Sequence, residues 1–318
     1  MALSKVNPNL ITQGASGRKN LIINGGFDVW QRGTSLTAAS SYLADRWVNG
    51  TSEAQSRQAF TVGQTEVDGN PTYYHRGGGG GSAYYGLDHK IENVGTLSGK
   101  EVTLSYWMKG SSAFTNAPYR SQNFGSGGSS GVEAALSTSS ITTSWARYTH
   151  TFTFPSISGK TVGASSFSQL NVFRANIANI VVDIANVQLE LGSVATDFEH
   201  RSYGEELALC QRYFYAAAGQ AGIPFIAGAA YSTTGLYMTY NLPVPPRASP
   251  TITISGSFNI SDQYASDYNS SSITVGAGPN NNLINGRVRV DGLSGLTVGR
   301  FYGGAPNTSG TTIFDAEL

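Results

Sequence analysis

The sequence has very little cysteine and very little charge. One cysteine, Cys210, stands among 318 residues, which excludes an internal disulfide framework, and no paired cysteine and histidine spacing offers a zinc site. Charged residues make up 13% of the chain, with 20 basic side chains balancing 20 acidic ones. A chain without net charge lacks the broad positive field that recruits nucleic acid or an anionic membrane. We therefore expect no nucleic-acid partner.

Long apolar runs are also missing. No run approaches the ~20 residues that span a bilayer, and the first 20 residues lack the apolar centre of a signal peptide. We expect no membrane insertion and no export by the usual secretory route. Residues 1–20 carry Asn, Ser, Gly, Lys and Pro without periodicity, which predicts an extended arm that needs a partner to order it.

What is abundant favours strands and tight turns. The chain contains 39 glycines, 17 tyrosines and 14 phenylalanines, the usage expected of a mostly β protein. Residues 101–110 alternate cleanly. One face carries Val102, Leu104, Tyr106 and Met108, and the other carries Thr103, Ser105, Trp107 and Lys109. Half-buried antiparallel strands of this kind build a two-sheet sandwich.

The alternation breaks once in a long strand-like segment. In VVDIANVQLELG, Val182 and Ile184 are in one phase, whereas Val187 and Leu189 are in the other. An extra residue near Asn186 would restore the pairing, so the sequence predicts a β-bulge at Ala185 and Asn186.

A helix then separates two β regions. Ser202 and Glu205 match a capping box, and Leu207, Cys210 and Phe214 align on one helical face. We predict a first β-domain over residues 21–201, a junction helix over 202–217, and a smaller sandwich-like β-domain over 218–318. The fold class is all-β.

Several stretches resemble known domains. NLIINGGFDVWQRG, YLADRW, IENVGTLSGKEVTLSYWMKG, TTSWARYTHTFTFPSISGKTVG and VQLELGSVATDFEHR resemble the carbohydrate-binding jelly-roll domains of glycanases, and still more their counterparts in tailed-bacteriophage virion proteins. MALSKV, GEELALCQRYF, LPVPPRASPTITISG and FDAEL resemble segments of phage tail fibres.

The resemblance implies a jelly-roll sandwich in a homotrimeric virion component. Its N-terminal arm would dock onto other virion proteins, and its β-domains would face outward for host attachment through surface glycans. The alternative is a capsid decoration or cement spike with a purely structural role. The position in the particle, whether tail fibre, baseplate or capsid spike, stays open.

No motif predicts an enzyme. GGSSG at residues 127–131 fits a nucleophile motif, with Asp183 and His200 following in hydrolase order, but a catalytic serine there needs an alternating βα fold. The acidic residues are scattered singly, without the carboxylate pair of a glycosidase. The GGGGG run at 77–81 lacks the lysine of a phosphate loop and predicts a mobile hairpin loop. We expect no catalytic residue and no cofactor.

Sugar binding is the sharper hypothesis, because aromatic faces stack on the apolar faces of pyranose rings. Trp107 is the first candidate, since it lies on the polar face of its strand; the commoner alternative is a loop or a neighbouring subunit that covers it. The other candidates flank the glycine run, and their alternative is cross-strand packing: Tyr73, Tyr74, Tyr84 and Tyr85.

Two further tryptophans are predicted to lie in the core. Trp30 and Trp47 lie within the resemblance motifs, and we expect them to pack inside, with neighbouring arginines paired to an acid. Related jelly rolls often hold a structural calcium. Only Asp28 and Asp183 fall near the corresponding positions, and structural hydrogen bonding is the preferred interpretation of both, so we expect no metal.

Overall fold

The protein is described here by a computed structural model. It describes residues 18–37, 41–50, 53–80, 84–176, 178–218, 226–255, 258–262, 267–270, 274–280, 285–306 and 311–318. The chain divides into two compact units, Met1–Glu206 with Leu318 and Leu207–Glu317. Within the described ranges, no helix is long and apolar enough to cross a membrane.

The first unit is built from strands. In chain order they are β1 (Ser35–Thr37), β2 (Ser41–Tyr42), β3 (Trp47–Asn49), β4 (Ala54–Ala59), β5 (Tyr73–Gly78), β6 (Tyr84–Glu92), β7 (Glu101–Gly110), β8 (Phe114–Asn116), β9 (Tyr119–Asn123), β10 (Val132–Ala135), β11 (Ser139–Ile141), β12 (Ala146–Thr153), β13 (Phe167–Asn176) and β14 (Val181–Leu191). The first sheet has the order β1-β4-β5-β14-β7-β12, and the second has the order β10-β9-β13-β6-β3-β2. β8 and β11 pair separately. This is the predicted jelly-roll sandwich.

Side-chain alternation places the core between the two sheets. Val102, Leu104, Tyr106 and Met108 are all fully buried, as their shared face predicts. Leu170 and Phe173 pack into the same core from the second sheet. Burial of each such side chain contributes about 1.5–3 kcal/mol. The opposite face of β7 is also largely covered, since Thr103 and Ser105 are buried.

The two predicted core tryptophans are confirmed. Trp47 is fully buried, and its Nε1 donates to the Asn24 carbonyl at 2.8 Å. Trp30 is buried nearby and stacks on His75. Arg32 pairs with Asp45 at 2.8 Å, as the sequence predicted for an arginine in this motif.

Buried histidines in this core are held neutral. Burial lowers the pKa of His75 to about 3, and its Nε2 lies 3.2 Å from Gln55 Oε1. His150 lies on the core side of β12, as predicted, with its Nε2 3.0 Å from the Tyr106 hydroxyl. These imidazoles are structural partners of the core.

The predicted bulge in β14 is confirmed. The register of β14 against β7 shifts between Ala185 and Gln188, and Asn186 has a left-handed backbone with φ of 47°. Asparagine tolerates this region better than most residues. The shift lets Ile184, Val187 and Leu189 all face the core although their spacing in the chain is uneven.

The end of the predicted arm belongs to the sandwich. Residues 1–17 lie outside the described residues, but Lys19 Nζ donates to Thr196 Oγ1 at 2.6 Å. Asn20 is buried, and its Oδ1 accepts hydrogen bonds from the backbone of Ile22 and Leu189. The predicted arm over residues 1–20 therefore extends too far, because Lys19 and Asn20 belong to the sandwich. Local composition cannot indicate hydrogen bonds to residues so distant in the chain.

The glycine run is partly strand. β5 continues through Gly78, and Gly77 pairs with Val182 on one side and Gln55 on the other. The prediction of a hairpin loop from residue 77 was wrong there, because backbone pairing with two flanking strands holds these glycines in a strand although they have no side chain to pack. Residues 81–83 lie outside the described residues.

The helix α1 (Tyr203–Gln211) begins where the capping box predicts. The backbone N–H of Ser202 donates to Glu205 Oε2 at 3.2 Å, and the Glu205 N–H donates to Ser202 Oγ at 3.3 Å. The prediction that the helix extends to residue 217 was wrong, because the helix ends at Gln211. Residues from Phe214 onward form a strand, and its first residue pairs with Asp315 about 100 positions later in the chain.

The second unit holds the remaining strands. They are β15 (Phe214–Ala218), β16 (Ile226–Ser232), β17 (Gly235–Asn241), β18 (Thr251–Ser255), β19 (Phe258–Ser261), β20 (Asp267–Ser270), β21 (Thr274–Asn280), β22 (Asn285–Asp291), β23 (Phe301–Pro306) and β24 (Thr311–Asp315). The sheets have the orders β15-β24-β18 and β20-β19-β23-β16-β17-β22-β21. Phe314 and Tyr240 pack across them, with ring centroids 4.8 Å apart. This is the predicted second, smaller β-sandwich.

Candidate functional site

The outer face of the first sheet carries the half-buried indole of Trp107. Strand alternation points Trp107 away from the core, and the register places it between Arg147 on β12 and Ala185 on β14. Loops before β5 and before α1 add side chains above this face. The sequence prediction that Trp107 stands apart from the core is therefore confirmed.

Two contiguous cavities lie over this face, and together we call them the Trp107 cleft. The first, of about 350 Å³, is lined by Asp68, Gly69, Ser105, Trp107, Arg147, Asn186, Asp197, Phe198 and His200. The second, of about 300 Å³, shares Gly69, Asn186, Phe198 and His200 with it and adds Asp28 and Tyr73 among others. All these residues belong to the first unit. A volume of this size suits a ligand the size of a short oligosaccharide.

Asn186 is the polar group at the centre of the cleft. The bulge in β14 sets its backbone, and its side chain lines both cavities while only 3% of the residue is exposed. Its Nδ2 donates to the Asp68 carbonyl at 3.0 Å. Its Oδ1 is buried and accepts no hydrogen bond from any residue that the structure describes. A buried acceptor left in this state costs about 1–3 kcal/mol, so the cleft favours a ligand that brings a donor.

Trp107 is partly covered from one side. It packs against a small cluster on the outer face of the sheet, which contains Val67 and Trp145. The predicted alternative, a loop covering the indole, therefore applies to part of the ring, because Val67 belongs to the loop before β5. The rest of the indole lines the cleft. A ring supported from below and open on one side is a rigid platform for stacking.

Charged groups of both signs surround the cleft. Arg147 donates to the Thr196 carbonyl and, at 3.3 Å, to Ser105 Oγ, which fixes the guanidinium beside Trp107. Asp68 and Asp197 are exposed carboxylates at the rim. These groups can accept and donate hydrogen bonds to hydroxyls around a stacked ring.

Burial also changes the titration of two groups in the cleft. Burial, together with the charge of Glu206, raises the pKa of Asp28 to about 6. Burial lowers the pKa of His200. Near neutral pH the cleft therefore holds a carboxylate at Asp28 and an uncharged imidazole at His200, both of which can bond a neutral polar ligand.

Of the four candidate tyrosines, Tyr73 and Tyr74 lie in different surroundings. Tyr73 lines the second cavity, with the Arg57 guanidinium 4.4 Å from its ring centroid. Tyr74 packs against Phe60 and Trp145, with ring centroids 4.7 and 5.4 Å away, which matches the cross-strand packing alternative. The side chains of Tyr84 and Tyr85 lie outside the described residues.

Sequence reasoning did not assign Asn186, Phe198 or His200 to a binding site. The only signal for Asn186 was the break in alternation, which marked a bulge and not a ligand contact. Phe198 and His200 lie in the segment before α1, where no periodicity applies. Their rings pack edge to face at 5.0 Å.

The residues considered for a metal or a catalytic triad do not assemble. Asp183 accepts two hydrogen bonds from Arg76, at 2.7 and 2.8 Å, as the structural interpretation predicted, and Asp28 lies in the cleft. No group of three or more His, Cys, Asp or Glu residues that could hold a metal occurs in the described part of the chain. Ser129 Oγ accepts from the Thr161 N–H at 2.9 Å and does not line the cleft that holds His200.

Comparisons with known proteins yield structures only. No family model matches the chain, and no curated protein matches it. A CBM22 xylan-binding domain from Paenibacillus barcinonensis is similar over 46% of this chain and 92% of its own, with 11% identity and a TM-score of 0.35.

Two further structures are similar to a comparable extent. A family 22 carbohydrate-binding module of Clostridium thermocellum covers 48% of this chain and 89% of its own, with 15% identity and a TM-score of 0.36. The enzymatically active domain of tailspike protein 4 from bacteriophage CBA120 covers 54% of this chain and 21% of its own, with 14% identity and a TM-score of 0.34. TM-scores this low leave the function to be argued from the chain's own residues.

Proposed function

We propose that the protein is a non-enzymatic virion component of a tailed bacteriophage, of the tail fibre or receptor-contact type, that binds host surface glycans in the Trp107 cleft. The observation that carries the binding proposal is the buried Oδ1 of Asn186, which accepts no hydrogen bond from the described residues and lies next to the half-buried indole of Trp107. A pyranose ring presents an apolar face for the indole and a hydroxyl donor for the amide oxygen.

The virion assignment rests on the sequence motifs at both ends of the chain and through the first β-domain. In the virion, the chain acts as a homotrimer joined to other virion proteins through its N-terminal arm. Each cleft holds a glycan weakly, and linked copies multiply the retention without new contacts, because later binding events become intramolecular. The absence of net charge suits contact with both acidic and neutral cell envelopes.

We propose that the Trp107 cleft binds without catalysis, although one of its acids, Asp28, has a pKa raised to about 6 by burial. Glycoside hydrolysis needs one carboxylic acid kept protonated by apolar surroundings, opposite a second carboxylate. The rim carboxylates Asp68 and Asp197 are instead exposed. We therefore assign them to hydroxyl recognition.

The test measures binding of the purified, full-length protein to intact bacterial cells and to a glycan array, with particle mass from light scattering on the same sample. We expect saturable binding that free glycan competes. Trp107→Ala should weaken the affinity of each site about thirtyfold or more, the loss typical of a central aromatic contact. Phe301→Ala, an exposed aromatic change in the second unit, serves as the matched control and should bind normally.

Two outcomes would redirect the proposal. Equal binding by the wild type and Trp107→Ala would remove this cleft from the binding site. A stable oligomer that binds neither cells nor glycans would support the capsid decoration role instead. Antibody labelling of purified particles by electron microscopy tests the virion location directly.

A further inference from the structure

A second polar cleft lies on the outer face of the second sheet, opposite the Trp107 cleft. It has a volume of about 150 Å³, and its walls come from β6, β9, β10 and β13. We call it the Asn171 cleft after its most buried polar member. The register aligns Asn171 with Asp88 on β6 and with Tyr119 on β9, so the three side chains share one face of neighbouring strands.

Asn171 repeats the chemistry of Asn186. The register of β13 against β6 shifts between Asn171 and Phe173, and only 7% of Asn171 is exposed. Its Nδ2 donates to Asp88 Oδ1. Its Oδ1 is buried and accepts no hydrogen bond from the described residues. An unfilled acceptor thus lies against a carboxylate inside a cleft.

The same cleft also offers charged partners for a ligand. Arg174 and Glu133 both line it. A ligand that satisfies Asn171 must donate to its oxygen. A pair of adjacent hydroxyls can donate to Asn171 and also bond Arg174 or Glu133, because each hydroxyl is donor and acceptor at once.

The charges of the cleft favour a neutral ligand. Asp88, Glu133 and Arg174 all line the cleft, so the lining carries charges of both signs. Burial raises the pKa of Asp88 to about 6, while hydrogen bonds from Asn171 and Gln169 oppose that rise. Above that pH the side chain is a carboxylate that accepts hydrogen bonds. Arg174 disfavours a metal cation, and the two acids disfavour an anion.

Size and shape narrow the ligand further. The volume is below the range of about 300–1,000 Å³ that holds drug-sized molecules, which limits the occupant to a small group. The Arg174 guanidinium lies 4.1 Å from the Tyr119 ring centroid and stiffens one wall. We propose that the Asn171 cleft is a second, separate binding site for a single neutral sugar unit, recognised through adjacent hydroxyls.

The test uses the full-length protein with Trp107→Ala, which weakens the other cleft and keeps the two proposals distinguishable. Saturation-transfer difference NMR is recorded with methyl β-D-glucopyranoside and methyl α-D-mannopyranoside as probes. We expect a saturable signal for at least one of them. Adding Glu133→Gln should weaken the affinity for that probe about tenfold, because the hydroxyl then bonds a neutral acceptor and not a charged one.

Glu101→Gln is the matched control, an exposed acid on the first sheet, and should leave the signal unchanged. Tyr119→Ala is a second cleft variant, with thermal unfolding showing that each variant folds. The proposal is overturned if neither probe gives a signal, or if Glu133→Gln and Tyr119→Ala both bind as the parent does. Competition by inorganic phosphate would also overturn it, because that result assigns the cleft to anions.

Discussion

The two clefts of the first unit use one backbone device for two different chemistries. Each has a register shift in a strand, and each places beside it a buried asparagine whose nitrogen is hydrogen-bonded and whose oxygen accepts no hydrogen bond from the described residues. The Trp107 cleft adds an indole platform and a larger volume, with cavities of about 350 and 300 Å³ against about 150 Å³ for the Asn171 cleft. The Asn171 cleft adds opposed ionic groups instead. A bulge therefore aims a polar side chain, while the neighbouring strands decide what that side chain can recognise.

The largest effect should come from removing the first bulge outright. Deleting Asn186 forces either Val187 and Leu189 outward or the strand out of register, because one residue reverses every side chain after it. The loss should exceed the roughly 5–15 kcal/mol that holds a domain together, so the first unit should not fold. Near-ultraviolet circular dichroism and amide NMR spectra measure this.

Asn186→Gly is the control for the deletion, since it keeps the residue count and the left-handed backbone. It should fold, bind at the Asn171 cleft as before, and lose about tenfold in affinity at the Trp107 cleft. If the deletion variant folded with native spectra, the bulge would have no role in setting the strand faces.

An intermediate effect should come from Asp28, whose pKa of about 6 lies above the ordinary 3.8. Between these values the folded state holds a proton that the unfolded state has lost. The free energy of unfolding therefore falls as pH rises through this window. Asp28→Asn should remove that loss, raising stability above pH 7 by about 2–3 kcal/mol and leaving it nearly unchanged at about pH 4.

Urea unfolding of the wild type and Asp28→Asn at both pH values measures this difference. The comparison between variants separates Asp28 from His75, whose lowered pKa has the opposite consequence for pH dependence. Asp88→Asn should shift stability in the same direction, because burial is the largest cause there too. A gain confined to low pH would show that the sign assigned to Asp28 is wrong.

The smallest effect should come from Arg76, which lies on the outer face of the first sheet beside the Trp107 cleft. Its two hydrogen bonds to Asp183 are bidentate, and lysine cannot reproduce that geometry. Arg76→Lys should lower the free energy of unfolding by about 1 kcal/mol. Glycan affinity should not change, since neither residue lines the cleft cavities. A fall in affinity would extend the binding surface to Asp183.

Local sequence patterns gave correct predictions wherever contacts between neighbouring residues determined the structure. The alternation in residues 101–110 assigned the buried face of β7 correctly, and the phase break placed the bulge at Asn186. The Ser202 and Glu205 spacing located the start of α1. In each case the physical cause lies within a few residues of its signal, so the sequence contains it in full.

The remaining features depend on residues far apart in the chain. The end of α1 could not be read locally, because alanine-rich residues after Phe214 favour helix until β24 offers them a strand partner. The Trp107 cleft joins residues near positions 68, 107, 147, 186 and 200, and no spacing relates them. Nor could any pattern show that the oxygens of Asn171 and Asn186 accept no hydrogen bond from the described residues.

By itself, the sequence determined that this is an all-β protein, which faces of its strands are buried, where one strand changes phase and where its helix begins. Alternation, phase and capping are properties of neighbouring residues, so they survive without knowledge of the fold. Tertiary structure alone decided where the helix ends, which loops meet over Trp107, and which buried polar atoms are left for a ligand to satisfy. Those outcomes follow from long-range strand pairing, which sets the distances between residues that the chain keeps apart.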